Sequence, residues 1–183
     1  MSKSGFGRYS IFALLGILIL SISGCGVRGP YQTTVPLNLA ETALNVALDQ
    51  VGDPYVWGGQ GPDEFDCSGL IIWAYAQVIP DLKLRIGSEI VEDATQDDLW
   101  RYNVLVIPPE QMRPGDIVFI TSDPDRITHG GLFIEWVDDT KTEFRFVNAS
   151  SYWGRVEIDT WPVEGTKRDQ WFVGAGRLLV TIN

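Results

Sequence analysis

The stretch "FDCSGLIIWAYAQVI", Phe65 to Ile79, decides how the chain is read. Asp66 is a good helix N-cap, because its carboxylate can accept from the unpaired amides of a first turn. The residues after it are apolar nearly all round, so the pattern predicts a buried helix that opens at Cys67. A thiol there meets free amides and the positive end of the helix dipole, which lower its pKa from ~8.5 into the range ~3.5–7.5. The alternative is a buried structural cysteine, which is common. The preceding "GGQGPDEF" (Gly58–Phe65) is loop-like, and its glycines let backbone and ligand come close.

Upstream lies a first helix. Asn38 with Glu41 resembles a capping box, and Ala40, Ala43, Leu44, Ala47, Leu48 and Val51 follow helical spacing. Gly52 is expected to stop it, with Pro54 just beyond. Residues Pro80 to Gln111 carry a partial helical pattern and many acids, and read as helical or irregular. After Pro114 the pattern changes to strands: Asp116–Thr121, Gly130–Val137, Glu143–Asn148, Arg155–Asp159 and Val173–Val180. "VDDTKTE" reads as the hairpin turn between the second and third of these. Helices first and an antiparallel meander after define an α+β domain.

The first 24 residues read as a processed leader. Lys3 and Arg8 precede "IFALLGILILSI" (Ile11–Ile22), an apolar run that fits a signal peptide and falls short of the ~20 residues a spanning helix needs. A retained membrane anchor is the alternative. The run ends in "ISGC", Ile22 to Cys25, which resembles a bacterial lipobox and implies a diacylglycerol thioether and an N-acyl chain on Cys25. Two or more acyl chains hold stably in a bilayer where one does not. Gly26 to Leu37, with two prolines and no periodicity, reads as a tether reaching on the order of 35 Å when extended.

With Cys25 lipidated, the second and last cysteine, Cys67, has no disulfide partner and becomes a candidate reactive thiol. Loss of the leader removes Lys3 and Arg8 and no acid, taking the net charge from −10 to −12. That charge repels phosphate backbones and argues against nucleic acid as a partner. A soluble surface accounts for the rest of it.

His129, in "THGGLF", is the single histidine of the chain. A thiolate nucleophile needs a base that later protonates the leaving amine, and imidazole suits that near neutral pH. A surface-loop histidine is the bland reading. Asn148, in "FVNAS" at the end of the next strand, could orient the imidazole as in Cys-His-Asn arrangements, or could be a strand-end turn residue. One Cys and one His far apart make no zinc site, so no metal and no cofactor are expected.

The blocks "DPYVWGGQGPDEFDCSGLIIWAY", "RPGDIVFI", "THGGLFIE" and "FVNAS" resemble the NlpC family of cell-wall cysteine peptidases, a papain-like group, from about Leu37 to Leu179. The resemblance implies a papain-like fold with N-terminal helices packed on an antiparallel sheet over residues 38–183. It places the nucleophile on Cys67, the general base on His129 and the third polar residue on Asn148. It puts a carbonyl- or oxyanion-holding tyrosine on Tyr55, and stem-peptide contacts on Asp66 and Ser68. Two features depart from the family. The third residue is Asn where many members have His, in a lengthened hairpin, and residues 80–111 lack a clear match to the family's Arg-Ser motif. Among the tryptophans, Trp153 is expected as a groove wall.

The resemblance implies hydrolysis of an amide in peptidoglycan stem peptides, at the γ-D-glutamyl–diamino acid bond or the cross-bridge. A silent wall-binding lipoprotein, or an amidase or acyltransferase on another substrate, are the other readings. A monomer held to the envelope through Cys25 is expected. Gly26 in place of Asp points to the outer membrane in a double-membrane cell.

Overall fold

Residues 29–182 are described by a computed structural model of the chain. The leader over 1–24, Cys25 and Gly26 lie outside the described residues.

Two strands that send side chains into a core on each face explain the architecture. In β5 (Ile117–Thr121) every residue is buried. Ile117 and Phe119 enter one core, and Val118 and Ile120 enter another on the opposite face. The same two-sidedness holds in β7 (Glu143–Ser150), where Val147 and Ala149 face the first core and Phe144 and Phe146 the second. Around them run β6 (His129–Trp136), β8 (Arg155–Pro162) and β9 (Trp171–Ile182), giving the antiparallel order β9-β5-β6-β7-β8. The "VDDTKTE" segment is the β6–β7 turn, as expected.

Helix α1 (Leu37–Leu48) and helix α2 (Cys67–Ala76) pack on each other and on β6 and β7, closing the first core. Small residues at the contact, Ala43, Ala47 and Ala74, are fully buried and let the helices approach closely. The second core, with Phe133, Phe144, Phe146 and Trp161, is an aromatic cluster of mostly edge-on ring pairs. The α+β, papain-like expectation describes this arrangement.

Several local expectations are corrected. Helix α1 starts at Leu37 with Pro36 at the cap position and no side-chain cap, so the Asn38–Glu41 box does not form. The Pro36 carbonyl accepts from Leu39 and Ala40, and its fixed φ of −58° presets the entry. The helix ends at Leu48 rather than Val51, through i→i−3 bonds from Gln50 and Val51. Gly52, at φ 106°, then turns the chain toward β8 and donates to Val156.

Residues 80–111 are ordered: a hairpin of β2 (Leu84–Ile86) and β3 (Glu89–Val91), helix α3 (Gln96–Tyr102), and strand β4 (Val104–Ile107) on β9. Thr95 and Asp98 form a reciprocal capping box that starts α3. Buried Asn103 accepts from the Arg85 amide and donates to the Arg85 and Asp98 carbonyls, tying the hairpin to the end of α3.

The tether also changes. Tyr31–Thr34 forms β1, paired with Leu179–Ile182 of β9, and Val35 is buried with its amide on Leu178. The ordered domain therefore begins ahead of the expected boundary at residue 38. "YQTTV" is β-branched and aromatic, and β9 offers it a free ladder.

Candidate active site

Asp66 builds the start of α2. Its Oδ1 accepts from the Gly69 amide at 2.7 Å and the Ser68 hydroxyl at 3.0 Å, and its Oδ2 accepts from the Gly58 amide at 3.0 Å. The carboxylate therefore caps the helix and clamps the Trp57–Gly59 loop onto it. Gly69 sits against the Gly59 carbonyl, where a Cβ has no room. Asp66 and Ser68 thus spend their polar atoms on each other and on backbone. Neither lines the cleft, against the expectation that they form the peptide pocket.

The cleft itself holds about 330 Å³ and is lined by Tyr55, Cys67, His129 and Asn148. The structure brings these four predicted residues together from a loop, a helix start and two strands. The tryptophans on its wall are Trp57, 87% exposed, and Trp161, not Trp153, which stands edge-on to Tyr152 at 5.0 Å.

Asn148 is buried on β7, and its Nδ2 donates to the Glu157 carbonyl on β8 at 3.1 Å. A carbonyl can only accept, so the amide orientation is fixed and Oδ1 points at His129 Nε2, 2.9 Å away. Nε2 must therefore carry the proton in the neutral ring, which leaves the Nδ1 lone pair as the base. Burial pulls the His129 pKa below 6.5, outweighing the Asn148 bond and the Asp159 charge that raise it. The ring is neutral in the resting protein at pH 7.

The thiol corrects the helix-start argument. Burial, and then the Asp66 carboxylate, push Cys67 up to about 12, although the Ser68 amide, the Gln96 carboxamide and its own amide favour the thiolate. The first-turn amides are in place, but desolvation wins. Cys67 therefore rests as a thiol beside a neutral His129 in the same cleft. Tyr55 also stays protonated: burial first, then Cys67 and Asp66, raise its phenol, which keeps an O–H donor beside the sulfur.

Sequence reasoning missed Gln96. It is 4% exposed and, apart from the Cys67 sulfur that it faces, neither carboxamide atom has a hydrogen-bond partner among the described residues. It lies beside Cys67 and against Gly130, where an added Cβ would come within 2.6 Å of its Oε1. The capping-box spacing of Thr95 and Asp98 was the available signal, since it places Gln96 in the first turn of α3.

A helix-borne thiol and a strand-borne imidazole–amide pair in one cleft, with helices stacked on an antiparallel sheet, define the papain-like class of α+β domain. The NlpC/P60 family model matches residues 52–176, and the chain belongs to the NlpC/P60 family. A probable endopeptidase of Mycobacterium tuberculosis is 34% identical over 91 residues, 50% of this chain and 20% of its own length. The bifunctional muramidase/DL-endopeptidase CwlT of Bacillus subtilis is 32% identical over 115 residues, 59% of this chain and 32% of its own. The murein DD-endopeptidase MepH of Escherichia coli is 29% identical over 124 residues, 63% of this chain and 42% of its own. The solved structure of NlpC1 from Trichomonas vaginalis shares the fold at a TM-score of 0.59 and 24% identity, over 81% of this chain and 47% of that one. The chain spans between 20% and 42% of the length of these curated relatives.

Proposed function

We propose that the chain is a cysteine endopeptidase that hydrolyses an amide in peptidoglycan stem peptides. The observation that carries this is the fixed chain from the Glu157 carbonyl through Asn148 to His129, in the same cleft as Cys67. Neutral His129 takes the Cys67 proton at Nδ1 as sulfur attacks the carbonyl carbon. The oxyanion is held by the Cys67 amide and the Tyr55 hydroxyl. The imidazolium then gives its proton to the leaving amine, and water activated by the same ring releases the acyl group. Relatives named for DL- and DD-endopeptidase activity support the γ-D-glutamyl–diamino acid bond and the cross-bridge bond as the two target classes.

The chain acts as a monomer held to the envelope by lipid on Cys25, at the outer membrane of a double-membrane cell. The lipobox-like "ISGC" supports this reading. Metabolic labelling with a fatty acid should mark the chain and leave Cys25→Ala unmarked. Equal label on both would end the anchor assignment.

The test of the activity is digestion of purified muropeptides followed by mass spectrometry, with wild type and Cys67→Ala side by side. Cleavage by wild type alone is expected. A folded wild type that leaves every muropeptide intact would favour the silent wall-binding reading, and release of the whole peptide from its sugar would favour an amidase.

A further inference from the structure

The connection between β8 and β9 closes in a two-residue hairpin. Lys167 donates to the Gln170 carbonyl at 2.8 Å, and Gln170 returns a bond to the Lys167 carbonyl at 3.1 Å. Its central residues, Arg168 and Asp169, have φ of 54° and 58°. Turns of this kind ordinarily place Asn and Gly at those positions, because a side chain there is strained. Strained backbone of this sort persists where the surroundings enforce it and gathers at functional sites.

The strained residue is aimed into the catalytic cleft, which Arg168 lines together with Cys67 and His129. Its guanidinium is held on three sides. Nη1 donates to Asp159 Oδ2 at 2.6 Å, and the group lies 4.3 Å from the Tyr152 ring and 5.2 Å from the Trp153 ring. Its remaining N–H donors have no protein partner among the described residues, and the side chain keeps 24% of its surface open. The other Asp159 oxygen takes Lys167 Nζ at 3.0 Å. Burial works against the Asp159 charge, yet the two cations hold its carboxyl below the usual range. One carboxylate thus faces two cations, of which Arg168 alone lines the cleft, and sharing Asp159 with Lys167 leaves the guanidinium incompletely paired. The cleft lining holds no other acid, and Asp169 is turned to solvent outside it.

We propose that Arg168 is a carboxylate subsite, binding a free carboxylate of the peptide through the guanidinium edge that Asp159 leaves open. Charge-assisted bonds to a preoriented guanidinium are the strong and directional kind. This inference rests on the stem-peptide reading. A γ-linked glutamyl residue keeps its α-carboxylate free beside the scissile amide, and the diamino acid carries a carboxylate on the other side.

The test uses the full chain with Cys67→Ala, so that ligand is bound and not cut. The probes are L-alanyl-γ-D-glutamyl-L-lysine with both carboxylates free, with the glutamate α-carboxylate amidated, and with the lysine carboxylate amidated. Calorimetry should show one of the two amidations weakening binding by about 10-fold or more, the scale of a charged hydrogen bond. Adding Arg168→Gly should weaken the free peptide equally and abolish the difference between forms, while Arg168→Lys restores part of it. Glycine accepts a φ of 54° without strain, so this variant keeps the turn. Discrimination between forms that survives Arg168→Gly overturns the subsite alone. Failure of every form to bind, with muropeptides left intact by the wild type, overturns the stem-peptide reading with it.

Discussion

Asn148 Nδ2 reaches the Glu157 main-chain carbonyl at 3.1 Å while its Oδ1 lies 2.9 Å from His129 Nε2. A backbone atom of β8 thereby sets which nitrogen of the imidazole is basic. Asn148→Ala removes that instruction and leaves the ring free to adopt either tautomer. We expect a fall in kcat on the order of 10–10³-fold, less than loss of the nucleophile, by comparison with the ~10⁴ loss when a triad's orienting group is altered. Asn148→His should retain more rate than Asn148→Ala, since its ring can also accept from Nε2. Initial rates on a defined stem peptide, with folding checked by circular dichroism, decide this. Wild-type rate in Asn148→Ala would show that the ring is oriented by something else.

The resting thiol makes a second expectation. With Cys67 pushed up to about 12, iodoacetamide should react slowly at pH 7, and its rate should still be climbing above pH 9. A preformed thiolate–imidazolium pair would instead give a plateau at neutral pH. The alkylation profile of wild type against Cys67→Ala, which corrects for other sites, separates the two.

His129 supplies a third, through stability. Its pKa in the fold lies below the unfolded value of 6.5, so below that pH the unfolded chain binds a proton that the fold refuses. Unfolding then takes up protons, and stability falls as pH drops through 6.5 toward the folded pKa, and is unaffected above it. His129→Gln should lose this part of the acid sensitivity while being inactive. Urea midpoints at pH 5 and pH 7.5 measure it, and an equal pH difference in both proteins would assign the effect elsewhere.

Gln96 carries a fourth. Its buried carboxamide has the Cys67 sulfur as its one polar neighbour among the described residues, and an unsatisfied buried polar group costs about 1–3 kcal/mol. Gln96→Leu, close in volume, should leave stability unchanged or raise it by about 1 kcal/mol. It also withdraws a group that favours the Cys67 thiolate, so alkylation and turnover should both slow. A variant that is both less stable and fully active would make Gln96 a packing residue only.

The parts of this site that could be read from sequence are those set by neighbours along the chain. Asp66 announces the helix start and hence Cys67, and strand alternation puts His129 and Asn148 on adjacent strands. Tertiary effects were not legible. The helix-start rule for Cys67 counts local amides and misses the burial that outweighs them. Gln96 meets Cys67 from a helix distant in the chain, and Arg168 enters the cleft lining from a turn with unfavourable backbone. Asp66 and Ser68 sit next to the nucleophile in sequence, yet their bonds turn them inward. In the N-terminal segment, Pro30 and Pro36 drew attention away from the five β-forming residues between them, whose pairing partner lies about 150 positions away in β9.

Strand β1 shortens the leash. Only Gly26 to Pro30 separate Cys25 from Tyr31, a reach of about 15 Å when extended, under half of what a tether to Leu37 would give. The hitch is stiff as well, since Tyr31–Thr34 is laced along the last residues of β9 and Gln32 is pinned to the Tyr102 carbonyl. With lipid on Cys25, the cleft would hang on a short mount whose far end is fixed in the sheet. Under the proposed anchor and activity, the wall layer within its reach would be the one lying directly against the membrane, and strands farther out would escape it by distance alone.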